Sequence, residues 1–404
     1  MFAETFIYVV YFVSLFVTIF YLVTFFENKK YLKSKETNKF FSVSIIIPAY
    51  NKEAVIEDTI KSVLGLDYPK DKLEVILIDD GSEDNTYSIA KKYQSKNFKV
   101  LTKNNSGKAA TLNFGINKSK GELILVLDAD TLPNKDVLKK TVGYFKDLNV
   151  GAVVSTLQPY NPKKLIEKIQ IVEYTLSSFS RKILSLNNSL SSTPACSVFR
   201  ADIFRKYGGF DEDNLTEDYE MALRLQAHHY KVIHALDSTA YTDVPKNLRD
   251  LFRQRIRWCY GTFYNIQKYK KLFGRNYGDF GIFFFPLVVL SISMSLFMFS
   301  ISIIDIITIL IKKFHLLSLI GFHITFDTKY FSILYILTDL RIILGIIAFA
   351  LALILFYLAK RYTYEKSNIN IISYFIYAFI YSVFIILSWA ISLGYYITKK
   401  KPQW

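Results

Sequence analysis

The chain has 404 residues, of which 51% are hydrophobic and 16% aromatic, and its formal net charge is +15. This hydrophobic share is high for a soluble protein and indicates apolar segments outside a globular core. Basic residues cluster beside apolar runs, as at Lys29, Lys30 and Lys399 to Lys401, which favours contact with anionic lipid over nucleic-acid binding. The two cysteines, Cys196 and Cys259, lack metal-ligand spacing, so we infer free thiols rather than a disulfide framework or a zinc site.

Four apolar runs are long enough to cross about 30 Å of hydrocarbon as helices. They are residues 7–26, 281–311, 330–359 and 367–398. The first follows Glu4 rather than a basic stretch and shows no small-residue cleavage site, which favours a membrane helix over a signal peptide. We therefore predict a transmembrane helix within residues 1–33, a globular domain at 34–277 and a C-terminal transmembrane region at 278–404.

Strand and helix signals alternate along the first half of the globular domain. Predicted strands at 42–48, 73–79, 99–101 and 123–127 alternate with predicted helices at 53–66, 86–95 and 109–119. This order predicts an α/β fold with a mainly parallel, doubly wound sheet. Two amphipathic segments, 163–186 and 248–272, are predicted to be helices in the membrane interface, with packing on the domain core as the alternative.

Ligands of such sheets bind beyond the carboxyl ends of the strands. The residues at these ends are Pro48 to Asn51, Asp79 to Ser82 and Asp128 to Asp130. A nicotinamide-binding fold would carry a Gly-x-Gly-x-x-Gly turn after its first strand, and this chain has Pro-Ala-Tyr-Asn there, which excludes that class.

Two acidic pairs follow predicted strands. Asp128 and Asp130 could hold Mg²⁺ or Mn²⁺ against a diphosphate, although short acidic loops also cap turns. Asp79 or Asp80 could accept the imide N–H of uracil, and a local turn is the equal alternative.

Other polar residues stand at predicted helix starts. Lys108 follows a Gly-containing loop and could contact phosphate, or be a solvated lysine. Asp218, beside Glu217, could act as a general base on an acceptor hydroxyl, whereas Thr216 as a helix N-cap is the simpler interpretation of that motif.

The last candidate motif lies on the basic, aromatic segment 248–272. Helical spacing places Gln254, Arg257 and Trp258 on one face, where a guanidinium suits diphosphate and an indole suits a sugar ring. An interfacial helix with snorkelling arginines is the alternative, and we interpret Arg255 in that way.

In this order and at these separations, the motifs resemble the processive branch of family 2 glycosyltransferases, which contains cellulose, hyaluronan and poly-N-acetylglucosamine synthases. The resemblance runs from about residue 40 to 275. One position departs from it, because Lys52 stands where an acidic residue is commoner. The matching segments are Pro48 to Glu53, Asp79 to Ser82, Gly107 to Asn113, Asp128 to Asp130, Thr216 to Asp218 and Gln254 to Trp258.

The resemblance implies a GT-A fold, Mg²⁺ or Mn²⁺, inversion of configuration and a nucleotide-sugar donor, with UDP-GlcNAc as the leading candidate. It also implies roles for individual residues. Those roles are catalysis for Asp218 and Glu217; donor binding for Pro48, Tyr50, Asn51, Glu53, Asp79, Asp80, Lys108, Asp128, Gln254 and Arg257; acceptor binding for Trp258 and Thr216; and metal binding for Asp128 and Asp130.

We therefore expect a multi-pass enzyme of the cell membrane, with a cytoplasmic catalytic domain that extends a polysaccharide coupled to export. The alternative is single transfer to a lipid-linked acceptor. The expected partners are the donor, a glycan acceptor and lipid, with no nucleic acid and with an accessory membrane subunit left open.

Topology presents a conflict in the sequence. Four helices and a cytoplasmic domain would place Lys399 to Lys401 outside, against the positive-inside tendency, so either 281–311 is re-entrant or divided, or the tail is an exception. Asp339 and Arg341 are expected to line a glycan path or to form a helix-end pair.

Overall fold

The computed structural model describes residues 2–34, 37, 39–320, 339–363 and 371–402. The chain divides into two compact units, each described below by itself. One comprises Met1–Glu27 and Pro286–Leu358, and the other comprises Asn28–Phe285 and Ala359–Trp404. The second unit thus combines the predicted globular domain with the last apolar helix.

After the N-terminal helix α1 (Phe2–Glu27), four parallel strands alternate with three helices, as predicted. The strands are β1 (Val43–Ala49), β2 (Leu73–Asp79), β3 (Phe98–Thr102) and β4 (Leu123–Val126), and the helices are α2 (Ile56–Leu64), α3 (Thr86–Lys91) and α4 (Lys108–Lys118).

Strand β1 is almost uniformly apolar because both of its faces are covered. Ile45 and Ile47 join the core that contains Ile60 of α2, whereas Ile46 joins the opposite core with Leu112 of α4. Alternate side chains of a strand point to opposite faces, so helices on both sides require a continuous apolar run. This arrangement directs the polar residues that follow β1, β2 and β4 to one edge of the sheet.

The second half of the sheet is mixed. Its order is β3-β2-β1-β4-β7-β6-β8-β5, with β6 parallel to β8 and with antiparallel pairs β4–β7, β6–β7 and β5–β8. The prediction of a mainly parallel sheet therefore holds for β1 to β4 and for the β6–β8 pair, whereas the other three pairs are antiparallel. The elements are β5 (Thr131–Pro133), α5 (Val137–Thr141), β6 (Val150–Pro159), α6 (Leu165–Leu186), β7 (Ser197–Arg200), α7 (Ala201–Tyr207), α8 (Glu217–Ala227), β8 (Lys231–Thr242) and α9 (Leu248–Lys268).

The two predicted amphipathic helices correspond to α6 and α9. α6 packs on β6 and β8, so the core-packing alternative applies to its inner face. α9 packs against the last apolar helix, which consists of α12 (Ile371–Phe375), a π-helical turn (Ile376–Tyr381) and α13 (Ser382–Ile397). Ser392 donates a hydrogen bond of 3.0 Å to the Ile256 carbonyl, and the rings of Phe263 and Trp389 meet edge to face.

Four helices are long and apolar enough to cross a membrane: Glu4–Glu27, Phe280–Leu319, Leu340–Thr363 and Ile372–Ile397. They agree with the predicted runs, of which residues 330–338 and 367–370 lie outside the described residues. Helix α10 (Phe285–Ile320) is continuous, so its interpretation as re-entrant or divided is wrong.

Asp339 accepts hydrogen bonds from the backbone and guanidinium of Arg341 at the start of α11 (Leu340–Thr363), which is the expected helix-end pair. Cys196 and Cys259 are free and buried, and burial raises the pKa of each thiol to about 12, so both are inert core thiols.

Candidate active site

The loops that follow β1 and β2 are held together by their own polar side chains. Asn51, whose φ is 49°, accepts a hydrogen bond from the Glu83 amide at 2.9 Å and donates its own amide to Ser82 Oγ at 3.0 Å. Glu53 accepts from the backbone and side-chain nitrogens of Asn85, both at 3.0 Å. Asn51 and Glu53 therefore fix the loops, and donor contact by these two side chains stays a prediction. Nearby, Pro48 is partly buried and Tyr50 is exposed.

The two aspartates after β2 have different surroundings. Asp80 is buried and accepts three hydrogen bonds, from Lys103 Nζ (2.8 Å) and from the amides of Ser106 (3.1 Å) and Gly107 (2.9 Å). It therefore shapes the turn before α4. Asp79 uses Oδ2 within the fold, but its buried Oδ1 has no hydrogen-bond partner among the described residues. A buried acceptor without a partner is costly, so Asp79 is the better candidate for a base contact.

Lys108 connects two acidic motifs. It is the first residue of α4, and its Nζ lies 2.8 Å from Asp128 Oδ1 and 3.1 Å from Glu217 Oε1. Burial opposes the charge of this ammonium, but the carboxylates of Asp128 and Glu217 outweigh burial and raise the pKa of Lys108. A permanent positive charge thus stands at a helix N-terminus, where anions are favoured.

Asp130, the second carboxylate after β4, contacts a different lysine. Its Oδ2 lies 2.7 Å from Lys52 Nζ. Lys52 is the residue that stands where the family pattern favours an acidic side chain. Asp130 also lines a cavity of about 380 Å³ together with Lys163 and Lys164. Each carboxylate of the Asp-x-Asp motif is therefore contacted by one ammonium group.

A divalent cation would depend on Asp128 and Asp130. Their oxygens are hard ligands of the kind that Mg²⁺ and Mn²⁺ prefer. Across the described part of the chain, no cluster of three or more His, Cys, Asp or Glu side chains could hold a metal ion. The two carboxylates therefore fit a cation that takes its other ligands from substrate phosphates and water, and they do not form an all-protein cage.

Asp218 is the carboxylate best suited to act as a base. Its Oδ1 accepts the adjacent Tyr219 amide at 2.8 Å. Burial, and then the carboxylate of Glu217, raises the pKa of Asp218 to about 6, although Lys108 opposes the shift. A base is most effective when its pKa lies near the working pH. Glu217 Oε1 instead lies 3.1 Å from Lys108 Nζ.

Thr216 is buried between α8 and α9. Its amide donates to Asn214 Oδ1 at 3.1 Å, and its Oγ1 accepts from Asn265 Nδ2 at 3.0 Å. A Cβ on Gly261 would lie 2.2 Å from Thr216 Oγ1, so glycine permits this close approach. Thr216 occupies the N-cap position of α8, as the simpler interpretation expects, but its side chain makes no capping hydrogen bond. Thr216 packs α8 against α9, and its contact with an acceptor stays a prediction.

A cavity of about 550 Å³ lies beside Lys108 and is lined by α4, α8 and α9. Gln254 and Arg257 line it, at the predicted motif. Two residues that were not predicted from the sequence, Asp250 and Arg253, also line this cavity. They precede Gln254 and Arg257 by four residues each, so extending the helical face by one turn would have found them.

Arg255 is only 2% exposed, so its interpretation as a snorkelling residue is wrong. Its Nε donates to Glu173 Oε1 and to the Tyr381 hydroxyl, both at 3.0 Å, and the Tyr381 hydroxyl donates to Glu173 Oε2 at 2.9 Å. Arg255 Nη1 also donates to Gln254, and the guanidinium lies 4.1 Å from the Trp258 ring centroid. Arg255 therefore orients the two predicted binding residues beside it. Glu173 and Tyr381 could not be predicted as partners of Arg255, because both are remote from it along the chain.

The architecture is that of a GT-A fold, as predicted. The solved structure of the mannosyltransferase PcManGT from Pyrobaculum calidifontis, in complex with GDP-Man and Mn²⁺, aligns with a TM-score of 0.58 at 19% identity and covers 99% of this chain and 100% of that chain. At this level of identity the similarity shows the fold alone.

Residues 44–208 match the model of glycosyl transferase family 2, so this part of the chain is similar to family 2 glycosyltransferases. The chain is 30% identical over 257 residues to a poly-beta-1,6-N-acetyl-D-glucosamine synthase of Staphylococcus epidermidis, covering 61% of this chain and 62% of that protein. It is 32% identical over 237 residues to the probable glycosyltransferase YdaM of Bacillus subtilis (strain 168), covering 56% of each. These matches span less than two thirds of either relative's length. The resemblance to family 2 glycosyltransferases is confirmed.

Proposed function

We propose that this protein is a membrane-embedded, inverting glycosyltransferase that transfers a sugar from a nucleotide-sugar to the end of a growing polysaccharide. The observation that carries the proposal is the Lys108 ion pair with Asp128 and Glu217, next to the cavity lined by Gln254 and Arg257. Lys108, Glu217, Gln254 and Arg257 line this cavity of about 550 Å³, and Lys108 also contacts the candidate metal ligand Asp128.

The reaction needs one base and one displacement. Asp218 accepts the proton of an acceptor hydroxyl, and that oxygen attacks the anomeric carbon on the face opposite the diphosphate. The bond from that carbon to the diphosphate oxygen breaks, and the nucleoside diphosphate leaves with the electron pair. A single displacement inverts the anomeric configuration. The raised pKa of Asp218 suits this proton transfer near neutral pH.

The leaving diphosphate and the base of the donor also need partners. Asp128 and Asp130 would hold Mg²⁺ or Mn²⁺, which stabilises negative charge on the leaving group. Lys108 and Arg257 add fixed positive charge to the same space. The unpartnered Oδ1 of Asp79 is suited to accept the imide N–H of uracil.

Polymer extension and the membrane setting rest on further observations. The similarity to a poly-beta-1,6-N-acetyl-D-glucosamine synthase supports UDP-GlcNAc as the leading donor. The partly exposed Trp258 ring, held by Arg255, offers a stacking surface for an acceptor sugar. Four candidate membrane helices support a multi-pass protein of the cell membrane. We further propose that the catalytic domain is cytoplasmic and that the product is exported. An accessory membrane subunit is left open.

The test measures UDP release by the full-length protein in nanodiscs, with a panel of UDP-sugars and Mn²⁺, together with the size of the product. We compare wild type with Asp218→Asn, and with Asp202→Asn as a matched control because Asp202 is an exposed aspartate remote from the motifs. Removing the base should lower the rate by roughly 10²–10⁴-fold.

Three outcomes separate the alternatives. Release with one sugar that yields a high-mass product, lost in Asp218→Asn and kept in Asp202→Asn, supports the proposal. A short, lipid-extractable product would instead indicate single transfer to a lipid-linked acceptor. Equal rates in Asp218→Asn and wild type would contradict the role of Asp218.

A further inference from the structure

Lys52 departs from the family pattern, and the structure gives this departure a location. Its ammonium lies 2.7 Å from Asp130 Oδ2. The backbone of Lys52 is fixed, because its amide donates to Thr86 Oγ1 at 2.7 Å and its carbonyl accepts the amides of Val55 and Ile56 at 3.0 and 2.9 Å. The lysine is therefore held at the Asp-x-Asp motif by the loop that follows β1.

The pair has a counterpart on the other carboxylate. Lys108 Nζ lies 2.8 Å from Asp128 Oδ1 and also contacts Glu217, so each of the two aspartates is in contact with one lysine. Among the described residues, no third His, Cys, Asp or Glu completes a metal-binding cluster there. A cation that binds the protein alone would therefore find two carboxylates that are each already in contact with an ammonium group, and Asp130 has Lys52 as its own partner.

A divalent cation on Asp130 would have to displace the Lys52 ammonium or lie next to it. Like charges a few ångströms apart repel, even when solvent weakens the interaction. A bound diphosphate changes this balance, because its oxygens offer a new partner to Lys52 and further ligands to the metal.

We propose that Lys52 makes metal binding depend on the nucleotide. This inference rests on the proposed function. In the free protein, Lys52 forms an ion pair with Asp130 and lowers the affinity of Asp130 for Mg²⁺ or Mn²⁺. When a nucleoside diphosphate binds, Lys52 transfers its contact to a phosphate oxygen and Asp130 becomes a metal ligand. The metal and the nucleotide therefore strengthen each other's binding, and by linkage the coupling is reciprocal.

The experiment measures Mn²⁺ binding to the full-length protein in detergent by electron paramagnetic resonance of free Mn²⁺, with and without UDP. The variants are Lys52→Gln and Lys139→Gln. Lys139 is a matched control, because its ammonium lies 2.6 Å from Asp67 and its side chain is 39% exposed, as is that of Lys52. Both variants remove one positive charge from an ion pair of similar geometry.

Without UDP, Lys52→Gln should bind Mn²⁺ roughly three- to ten-fold more tightly than wild type, and Lys139→Gln should match wild type. With UDP, the affinities of wild type and Lys52→Gln should converge to within about twofold, because Lys52 no longer contacts Asp130. Equal Mn²⁺ affinities of wild type and Lys52→Gln without UDP, or binding by neither, overturn the inference. An equal gain in Lys139→Gln also overturns it.

Asp130→Asn separates this inference from the proposed function. If wild type binds Mn²⁺ with UDP and Asp130→Asn does not, the metal role of Asp130 stands and only the Lys52 result decides the inference. If Asp130→Asn binds Mn²⁺ as wild type does, the metal role itself is contradicted, and the inference fails with it.

Discussion

The buried cluster of Arg255, Glu173 and Tyr381 makes a strong prediction about stability. Arg255 is 2% exposed and the Glu173 side chain 17%, so the ion pair is largely removed from water. Glu173→Gln keeps the shape of the side chain but leaves a buried guanidinium without its counter-charge. Breaking a buried pair in this way costs about 3–5 kcal/mol. For a domain of this size, that corresponds to a fall in Tm of about 6–20 °C.

Two further variants test whether the charge pair itself causes the effect. Tyr381→Phe removes a hydroxyl that bonds to charged partners and should cost about 1.5–3 kcal/mol. Replacing both charges, as in Arg255→Met with Glu173→Leu, should recover most of the loss, because a packed apolar pair avoids desolvating two ions. Arg205→Met removes an exposed ion pair and should leave Tm within about 2 °C of wild type.

The assay is thermal unfolding of the full-length protein in detergent, followed by intrinsic fluorescence. Trp258 is a local reporter, since the Arg255 guanidinium stacks on its ring. The reasoning is refuted if Glu173→Gln lowers Tm by less than about 3 °C. The reasoning is also refuted if the double variant, Arg255→Met with Glu173→Leu, loses as much stability as the single variants Arg255→Met and Glu173→Leu added together.

Three other predictions concern the site. Gly261→Ala places a methyl group against Thr216 and should cost about 1–3 kcal/mol, measured as a lower Tm; an unchanged Tm would contradict the close packing. The value of kcat should fall about tenfold per pH unit below the Asp218 pKa of about 6 and level off above it, because only the carboxylate form of Asp218 accepts a proton. A flat profile of kcat between pH 5 and 7 would exclude Asp218 as the base. Asp80→Ala frees the turn before Lys108 and should raise the donor KM roughly tenfold with little change in kcat, whereas a selective loss of kcat would assign Asp80 a role in the chemistry.

The first half of the fold could be predicted because its signals are local. The predicted strands β1, β2 and β4 are short, mostly apolar runs, and each is followed by the polar residues that the topology brings to one edge. The strands β5 to β8 were not predicted, because their identity depends on partners far along the chain. β6, for example, pairs with β8 about eighty residues later, as in the register Val153 to Ile233.

Candidate site residues were easier to select than their roles. Asp128, Lys108 and Gln254 could be chosen from motif position alone, and the structure brings Lys108 to Asp128 and places Gln254 on the adjacent cavity. The partners of each side chain could not be chosen, because they come from distant segments. The Lys52 contact with Asp130 spans seventy-eight residues, and the Arg255 contact with Tyr381 spans 126.

The continuous helix α10 has a consequence for how the chain meets its bilayer. Its 36 residues rise about 54 Å, against about 30 Å of hydrocarbon. Even tilted by 40°, near the limit for such helices, it would span roughly 41 Å along the membrane normal. A bilayer-crossing α10 therefore extends beyond the hydrocarbon. Lys312 and Lys313 lie in its final third, where their charges would meet the lipid phosphates and set the depth of the helix.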